Sequence, residues 1–159
     1  MDQYYPISHK DVDVLVFLCN TLPKNPNILE TGCGRSTDVL RTFGKVHCVD
    51  INETRLREFA EEYTVCDTLK YVPTAEYDLI FIDDNHIYTY VKHNILSLRS
   101  HVKKGGILCG HDMDSNEYDE AFIHEDCVNQ VHHGVVKAVK ELVPDYKQFP
   151  ESTIWYANC

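Results

Sequence analysis

The chain has 159 residues, 43% of them hydrophobic and 25% charged, with a formal net charge of −10. That length is one domain's worth, enough to bury about 68–70% of the unfolded surface without disulfide or metal staples. The acidic balance repels nucleic-acid phosphates and anionic membranes, so neither is expected as a partner and a small neutral or cationic molecule fits better.

The opening MDQYYPISHKD lacks the basic and apolar regions of a signal peptide, and no apolar run approaches the roughly 18 residues of a membrane span. Seven cysteines, most inside apolar runs and without a CxxC pair, read as reduced thiols of a cytoplasmic protein. Lys10 to Asn20 carries apolar residues at helical spacing and is stopped by Pro23. Asn27 to Thr37, NILETGCGRST, then runs from a buried strand through Gly32-x-Gly34 into a helix. Glycines there let the backbone approach a ligand, while Glu30 supplies a carboxylate at the strand end. A second apolar strand, Val46 to Asp50, ends in an acid twenty residues after Glu30, the placement at which a carboxylate grips a ribose diol.

Asn52 is placed to cap a helix with Leu56, Phe59, Ala60 and Tyr63 on one face. A short strand around Thr64 to Cys66 follows, then Tyr77 to Asp83, an almost unbroken apolar run suited to a central strand. Tyr88 to Leu98 reads as a helix, Lys104 to Gly106 as a turn, Ile107 to Cys109 as a buried strand, and Val135 to Leu142 as a last helix closed by Pro144. Two strand candidates, Tyr146 to Phe149 and Thr153 to Tyr156, complete the tail. The acidic segment from Asp114 to His133 is too long for a simple turn and reads as a lid that carries Tyr118 and Phe122 towards a ligand. Strand and helix alternate throughout, the pattern of a parallel sheet covered on both faces. The expected organisation is a single domain: an N-terminal helix region (1–26), a cofactor-binding core (27–113), the lid-like loop (114–133), and a final helix and hairpin (134–159).

Several segments, in order, resemble a known family. LETGCG (Leu29 to Gly34), CVDI (Cys48 to Ile51), YDLIFIDDNHIY (Tyr77 to Tyr88), KKGGILCGHDM (Lys103 to Met113), GVVKAV (Gly134 to Val139) and TIW (Thr153 to Trp155) look like class I S-adenosylmethionine-dependent methyltransferases. Within that class they are similar to small bacterial-type O-methyltransferase-like enzymes with IDGDHxY and LxGHDY motifs. The resemblance implies an α/β, Rossmann-like, doubly wound fold: a seven-stranded, mostly parallel sheet with an antiparallel C-terminal hairpin. It implies that Glu30, Thr31, Gly32, Cys33 and Gly34 line the methionine and ribose part of the cofactor, with Asp50 on the ribose diol and Ile51 beside it. Asp67 matches an acid that meets the adenine amino group; as a plain loop cap it has an equal claim.

Asp83 ends the fourth strand, where the methyl group and a small-molecule acceptor meet. Related O-methyltransferases ligate a divalent cation, magnesium or another, at the positions of Asp83 and the pair His111-Asp112, and the ion lowers the pKa of an acceptor hydroxyl. This chain departs from the family by having His111 in that set and Asp84-Asn85 where Gly-Asp is usual. His86, three residues after Asp83, is a candidate general base with an unperturbed pKa near 6.5. The chain also lacks the additional N-terminal helices with which relatives roof the substrate, so its pocket is either shallow or completed by a second subunit in a homo-oligomer. Two other readings stay open. Tyr88-x-x-x-Lys92 superficially matches the catalytic pair of nicotinamide-dependent short-chain dehydrogenases, although Thr37 stands where GxGxxG needs its last glycine. The departures at Asp84, Asn85 and His111 also suit a non-catalytic cofactor-binding scaffold.

Overall fold

Alternating apolar runs pair edge to edge when both of their faces can be covered, and here seven of them form one sheet. The computed structural model describes residues 7–159; residues 1–6, part of the opening segment read above as lacking a leader, lie outside the described residues. The strands are β1 (Asn27–Thr31), β2 (Lys45–Asp50), β3 (Glu62–Val65), β4 (Tyr77–Ile82), β5 (Val102–Gly110), β6 (Lys147–Gln148) and β7 (Trp155–Asn158), in the order β3-β2-β1-β4-β5-β7-β6. The first five run parallel, β7 pairs antiparallel with β5, and β6 pairs antiparallel with β7. This is the seven-stranded Rossmann-like sheet with its C-terminal hairpin that the sequence led us to expect.

Side chains alternate across the strands, so each strand feeds two cores. Ile28, Leu79, Phe81, Ile107 and Cys109 pack with Leu15 and Leu18 of α1 (His9–Asn20), Leu40 of α2 (Arg35–Leu40) and Leu56 of α3 (Glu53–Phe59). Leu29, Ile80, Ile82 and Leu108 pack on the other face with Val91 and Ile95 of α4 (Tyr88–Leu98) and Val136 and Val139 of α5 (His133–Leu142). Trp155, 1% exposed, closes the second core. A Cβ on Gly110 would come within 2.7 Å of its ring, so only glycine lets β5 pass under this indole.

Several elements differ from the sequence reading, among them β3, at Glu62–Val65 instead of Thr64 to Cys66, and β7, at Trp155–Asn158 instead of Thr153 to Tyr156. The helix capped by Asn52 ends at Phe59, because Tyr63 pairs opposite Cys48 and is drawn into β3. β5 begins at Val102, since the Lys103–Gly106 segment is an irregularity within the strand instead of a turn before it; its register shifts there and Gly105 has φ +82°. The acidic segment contains a 3-10 turn (Glu120–Phe122) and a Val128–Val131 bridge, and α5 starts at His133. Strand order reverses between β1 and β4. In open parallel sheets ligands sit in the crevice at the carboxyl ends beside such a switch point.

Candidate active site

Two groups of residues meet at this crevice, one at the ends of β1 and β2 and one at the ends of β4 and β5. At the first, the chain turns at Gly32 with φ +79°, and its N–H donates to Val49 O at 2.9 Å. A Cβ at Gly32 would lie 1.9 Å from the Asp83 carbonyl oxygen, so glycine is required both by angle and by space. Gly34 has extended backbone, with φ −179°. Its N–H donates to Thr37 Oγ1, which opens α2.

Asp50 ties the two strand ends together. Its carboxylate accepts the Cys33 N–H at 3.0 Å and the Asn52 N–H at 2.8 Å, with Arg55 Nη1 at 3.8 Å. A carboxylate has about four acceptor positions, so two remain for ribose hydroxyls. Ile51 beside it is 73% exposed, an apolar surface at a ligand-facing strand end. Thr31 donates to Asp84 Oδ1, and Cys33 is buried with its thiol near Thr37. Asp67 accepts the Leu69 N–H as the cap of a 3-10 turn, which is the plainer of its two readings.

Glu30 corrects an expectation. It is 0% exposed and accepts hydrogen bonds from Ser36, Thr37 (2.6 Å) and Cys48 (3.4 Å), so it braces the turn from beneath instead of facing a ligand. Burial pushes its carboxyl up to about 8, against the opposing pull of the two hydroxyl donors.

The second group is set by backbone bonds that extend the sheet: the Asp83 N–H donates to Thr31 O at 2.9 Å, and the His111 N–H to Ile82 O at 3.1 Å. Asp112 has φ +63°, a left-handed conformation that Asp tolerates better than most residues, and it turns its carboxylate back into the crevice. Asp112 Oδ2 lies 2.8 Å from His86 Nε2, and Oδ1 lies 3.1 Å from His111 Nδ1 and 3.7 Å from His132 Nδ1. Asp83 Oδ1 stands 3.8 Å from His86 Nε2 and 3.7 Å from His111 Nδ1. Asp83, His111 and Asp112, and likewise His86, Asp112 and His132, bring their donor atoms within 4.8 Å of one another. The four residues singled out from sequence, Asp83, His86, His111 and Asp112, therefore come together.

His86, the candidate general base, is surrounded by carboxylates. Burial would lower its pKa, but Asp112, Asp83 and Asp126 outweigh that and raise it to about 11. His111 is raised to about 11 in the same way, burial being overcome by Asp11, Asp112 and Asp83. Burial holds the Asp83 carboxyl above its usual range, with His86 and His111 pulling the other way.

Sequence reasoning missed the partners of these rings. Asp126 Oδ1 sits 2.6 Å from His86 Nδ1, Asp11 Oδ2 3.2 Å from His111 Nε2, and Asp114 Oδ2 2.6 Å from His132 Nδ1. Asp11, 3% exposed, also accepts from Ser8, Ser152 and the Thr153 N–H. A signal for it was present: Asp11 lies at i, i+3, i+4 and i+7 with Val14, Leu15 and Leu18, an acid on the apolar face of α1. The departure at Asp84-Asn85 is structural. Asp84 accepts from Thr31, Thr68 and Asn94, and Asn85 accepts the Ile87 N–H.

The 114–133 loop is anchored at several points: Lys137 to Glu120, Lys140 to Asn116 O, and the Tyr88 N–H to Ile123 O at 2.8 Å. Tyr118 lies by Lys137, and Phe122 against His133, instead of reaching the crevice. What the loop delivers there is Asp126.

The methyltransferase domain family model matches residues 29–113, more than half of the chain and the stretch that carries both groups. The chain belongs to this family, the class I S-adenosylmethionine-dependent methyltransferases. Solved structures agree in fold. A Corynebacterium glutamicum protein superposes with a TM-score of 0.75 at 12% identity, covering 97% of this chain and 82% of that one. A candidate caffeoyl-CoA O-methyltransferase from Staphylococcus aureus gives 0.69 at 16% identity, with 99% and 86% covered. The N-methyltransferase NodS of Bradyrhizobium japonicum, in complex with S-adenosyl-L-homocysteine, gives 0.65 at 15% identity, with 98% and 88% covered. No curated protein matches. Among the described residues no helix is long and apolar enough to cross a membrane.

Proposed function

We propose that this methyltransferase carries a methyl group from S-adenosylmethionine to a hydroxyl oxygen of a small molecule bound at the ends of β4 and β5. The observation that carries the reading is the contact between Gly32 and the backbone of Asp83: the turn that would cradle the donor touches the strand end where His86, His111 and Asp112 converge. Gly32, Cys33 and Gly34 approach the methionine part, Asp50 takes the ribose diol, and Ile51 covers one face of the adenine. Glu30 acts on the turn, not on the donor. NodS, with its S-adenosyl-L-homocysteine, shares this fold and supports that donor site, and the Staphylococcus aureus relative supports an oxygen acceptor.

Transfer to carbon-bound oxygen needs an in-line approach and loss of the hydroxyl proton. Asp83, Asp112 and His111 suit a divalent cation, because carboxylates and an imidazole supply donor atoms within 4.8 Å. Such an ion, when bound, lowers the acceptor hydroxyl's pKa. Asp83, at the strand end that touches the donor turn, orients the acceptor hydroxyl. His86, 2.8 Å from Asp112 and 3.8 Å from Asp83, positions these two carboxylates.

Calorimetry tests the donor, and methyl transfer to a panel of hydroxylated acceptors tests the reaction. S-adenosylmethionine should bind while nicotinamide dinucleotides do not, and turnover should stop on chelation and return with a divalent ion. Donor binding without any turnover across the panel would instead favour the non-catalytic scaffold.

A further inference from the structure

The chain leaves β3 at the edge of the sheet and crosses towards its centre at the carboxyl ends of the strands. Strands β3 and β4 are separated by β2 and β1, yet Thr68, three residues beyond β3, donates its hydroxyl hydrogen to Asp84 Oδ2, two residues beyond β4. On the way, the Cys66 N–H donates to Asp50 O at 3.0 Å. Residues 66–70 therefore form a strap over the ends of β2 and β1, held at Asp50 on one side and at Asp84 on the other. Thr31, the last residue of β1, donates to Asp84 Oδ1 at 3.2 Å. Asn94 Nδ2, on α4, donates to the same oxygen at 2.8 Å and to Thr68 Oγ1 at 3.4 Å. One carboxylate thus collects three buried side chains that are 53, 16 and 10 residues away in the chain. The reversed Asn94 amide would set Oδ1 against that carboxylate, so Asp84 fixes its orientation even though Oδ1 is left buried without a partner. Asp84 also stands directly against the donor turn, since a Cβ on Gly32 would lie 2.8 Å from its Cα.

We infer that Asp84 is a positioning residue for the donor: by tying Thr68 to Thr31 it fixes the strap as one wall of the donor site and sets the spacing between the ribose end, at Asp50, and the methionine end, at Gly32. The inference rests on the donor placement proposed above. The glycine usual at this position in the similar enzymes has no side chain with which to make such a tie. Hydrogen bonds to a carboxylate are stronger than those between neutral groups, and a wall already in place before binding spares the donor the entropy of ordering it. The two ends of the donor respond differently to loss of the tie. The ribose end keeps the bond from Cys66 to the Asp50 carbonyl, whereas the methionine end depends on Thr68, Thr31 and Asp84 staying in register. A ligand that reaches only the ribose end is therefore indifferent to Asp84, and one that spans both ends is not.

Calorimetric titration of the full chain with S-adenosyl-L-homocysteine and with adenosine separates the two ends without recourse to turnover. Asp84→Ala should weaken S-adenosyl-L-homocysteine about 10–100-fold, the range of a lost charge-assisted contact, and adenosine less than about threefold. Asp84→Asn still offers an oxygen to Thr31 and Asn94 and an amide hydrogen to the Thr68 hydroxyl, so it should recover most of the lost affinity. Thr68→Val removes the other half of the tie while keeping its shape. Added to Asp84→Ala it should weaken binding by less than about a further twofold, because both changes break the same contact. Should Asp84→Ala fail to fold, Thr68→Val carries the test alone, with S-adenosyl-L-homocysteine weakened about tenfold and adenosine less than about threefold. Equal losses for the two ligands would make Asp84 a general support of the fold and overturn the inference. Unchanged affinities, or fully additive losses in the double variant, would overturn it as well. A wild-type chain that binds neither ligand would sink the donor reading itself, and the inference with it.

Discussion

The turn between β1 and α2 and the cluster at the ends of β4 and β5 stand on either side of one crevice, yet they are built in opposite ways. The turn is closed by short-range contacts: Glu30 with Ser36 and Thr37, Gly34 with Thr37, Asp50 with Cys33 and Asn52. All of its carboxylates are matched to hydroxyl or amide donors, which fixes one backbone shape. The cluster is assembled from distant segments, with His86 meeting Asp126 across 40 residues and His111 meeting Asp11 across 100. Its outer ring nitrogens are hydrogen-bonded to Asp126 and Asp11, while its inner charges face one another at 2.8 to 3.8 Å. On the proposed reading the turn takes the donor and the charge-rich cluster the acceptor, a division that suits methyl transfer because the donor is always the same molecule while the acceptor side carries the chemistry.

The comparison breaks most sharply at Asp112. Asp112→Asn keeps a residue that tolerates φ +63° but removes the charge between the imidazoles. If the ion and the proton are handled here, it should cost several kcal/mol at the transition state, on the order of 10³-fold in rate. S-adenosylmethionine affinity measured by calorimetry should stay within about twofold of wild type, a change of less than about 0.5 kcal/mol. Equal losses in rate and donor affinity would show that the two sides are one site.

Gly32→Ala attacks the junction between them. A side chain there meets the Asp83 carbonyl and must also hold φ +79°, a combined cost of about 2–5 kcal/mol. Thermal melting and donor titration should both suffer, since the end of β4 has to move. Unaltered melting would mean that the two strand ends are not packed as described.

These two positions were unequally legible. Gly32, Gly34 and Asp50 could be read from sequence because the hydrogen-bond partners of this turn lie within twenty residues and its strands and helix obey their periods. The same periods misplaced the end of α3, since sheet pairing claimed Tyr63, and the start of β5, since an irregularity inside a strand looks like a turn. Glu30 looked like a ligand-facing acid because sequence shows that a strand ends there but not which way its last side chain points. The surroundings of His86 were not legible, because Asp126, which with Asp112 and Asp83 raises its pKa, sits on an irregular loop whose path no period encodes. Asp11 alone among the missed residues left a trace, as an acid on an apolar helix face.

Asp50→Ala sharpens the comparison from the donor side. Loss of a charge-assisted contact to the ribose should weaken S-adenosylmethionine binding by roughly 1.5–3 kcal/mol. It should also loosen the turn by freeing the Cys33 and Asn52 amides. Asp145→Ala, at an exposed acid outside both groups, serves as the control and should change neither binding nor melting.

The last test is at Glu30, where the direction of the effect with pH separates a bracing acid from a ligand-binding one. Its carboxyl titrates at about 8 in the folded chain, against the ordinary glutamate value of 4.5 in the unfolded one. Below pH 4.5 both states hold the proton and the contribution is complete. As pH rises from there to about 8, the unfolded chain gives up its proton while the folded chain keeps it, so stability falls. The loss is at most about 1.4 kcal/mol for each pH unit, and it ends once the folded state has also ionised. Glu30→Gln keeps the shape but cannot titrate, so the variant should gain on wild type as urea denaturation is repeated from about pH 5 to about pH 8. Because the carboxyl is buried beneath the turn, saturating S-adenosylmethionine should leave that difference in slope intact. A slope that disappears when the donor binds would put Glu30 in contact with it, and the cradle would then share the acceptor site's reliance on exposed charge.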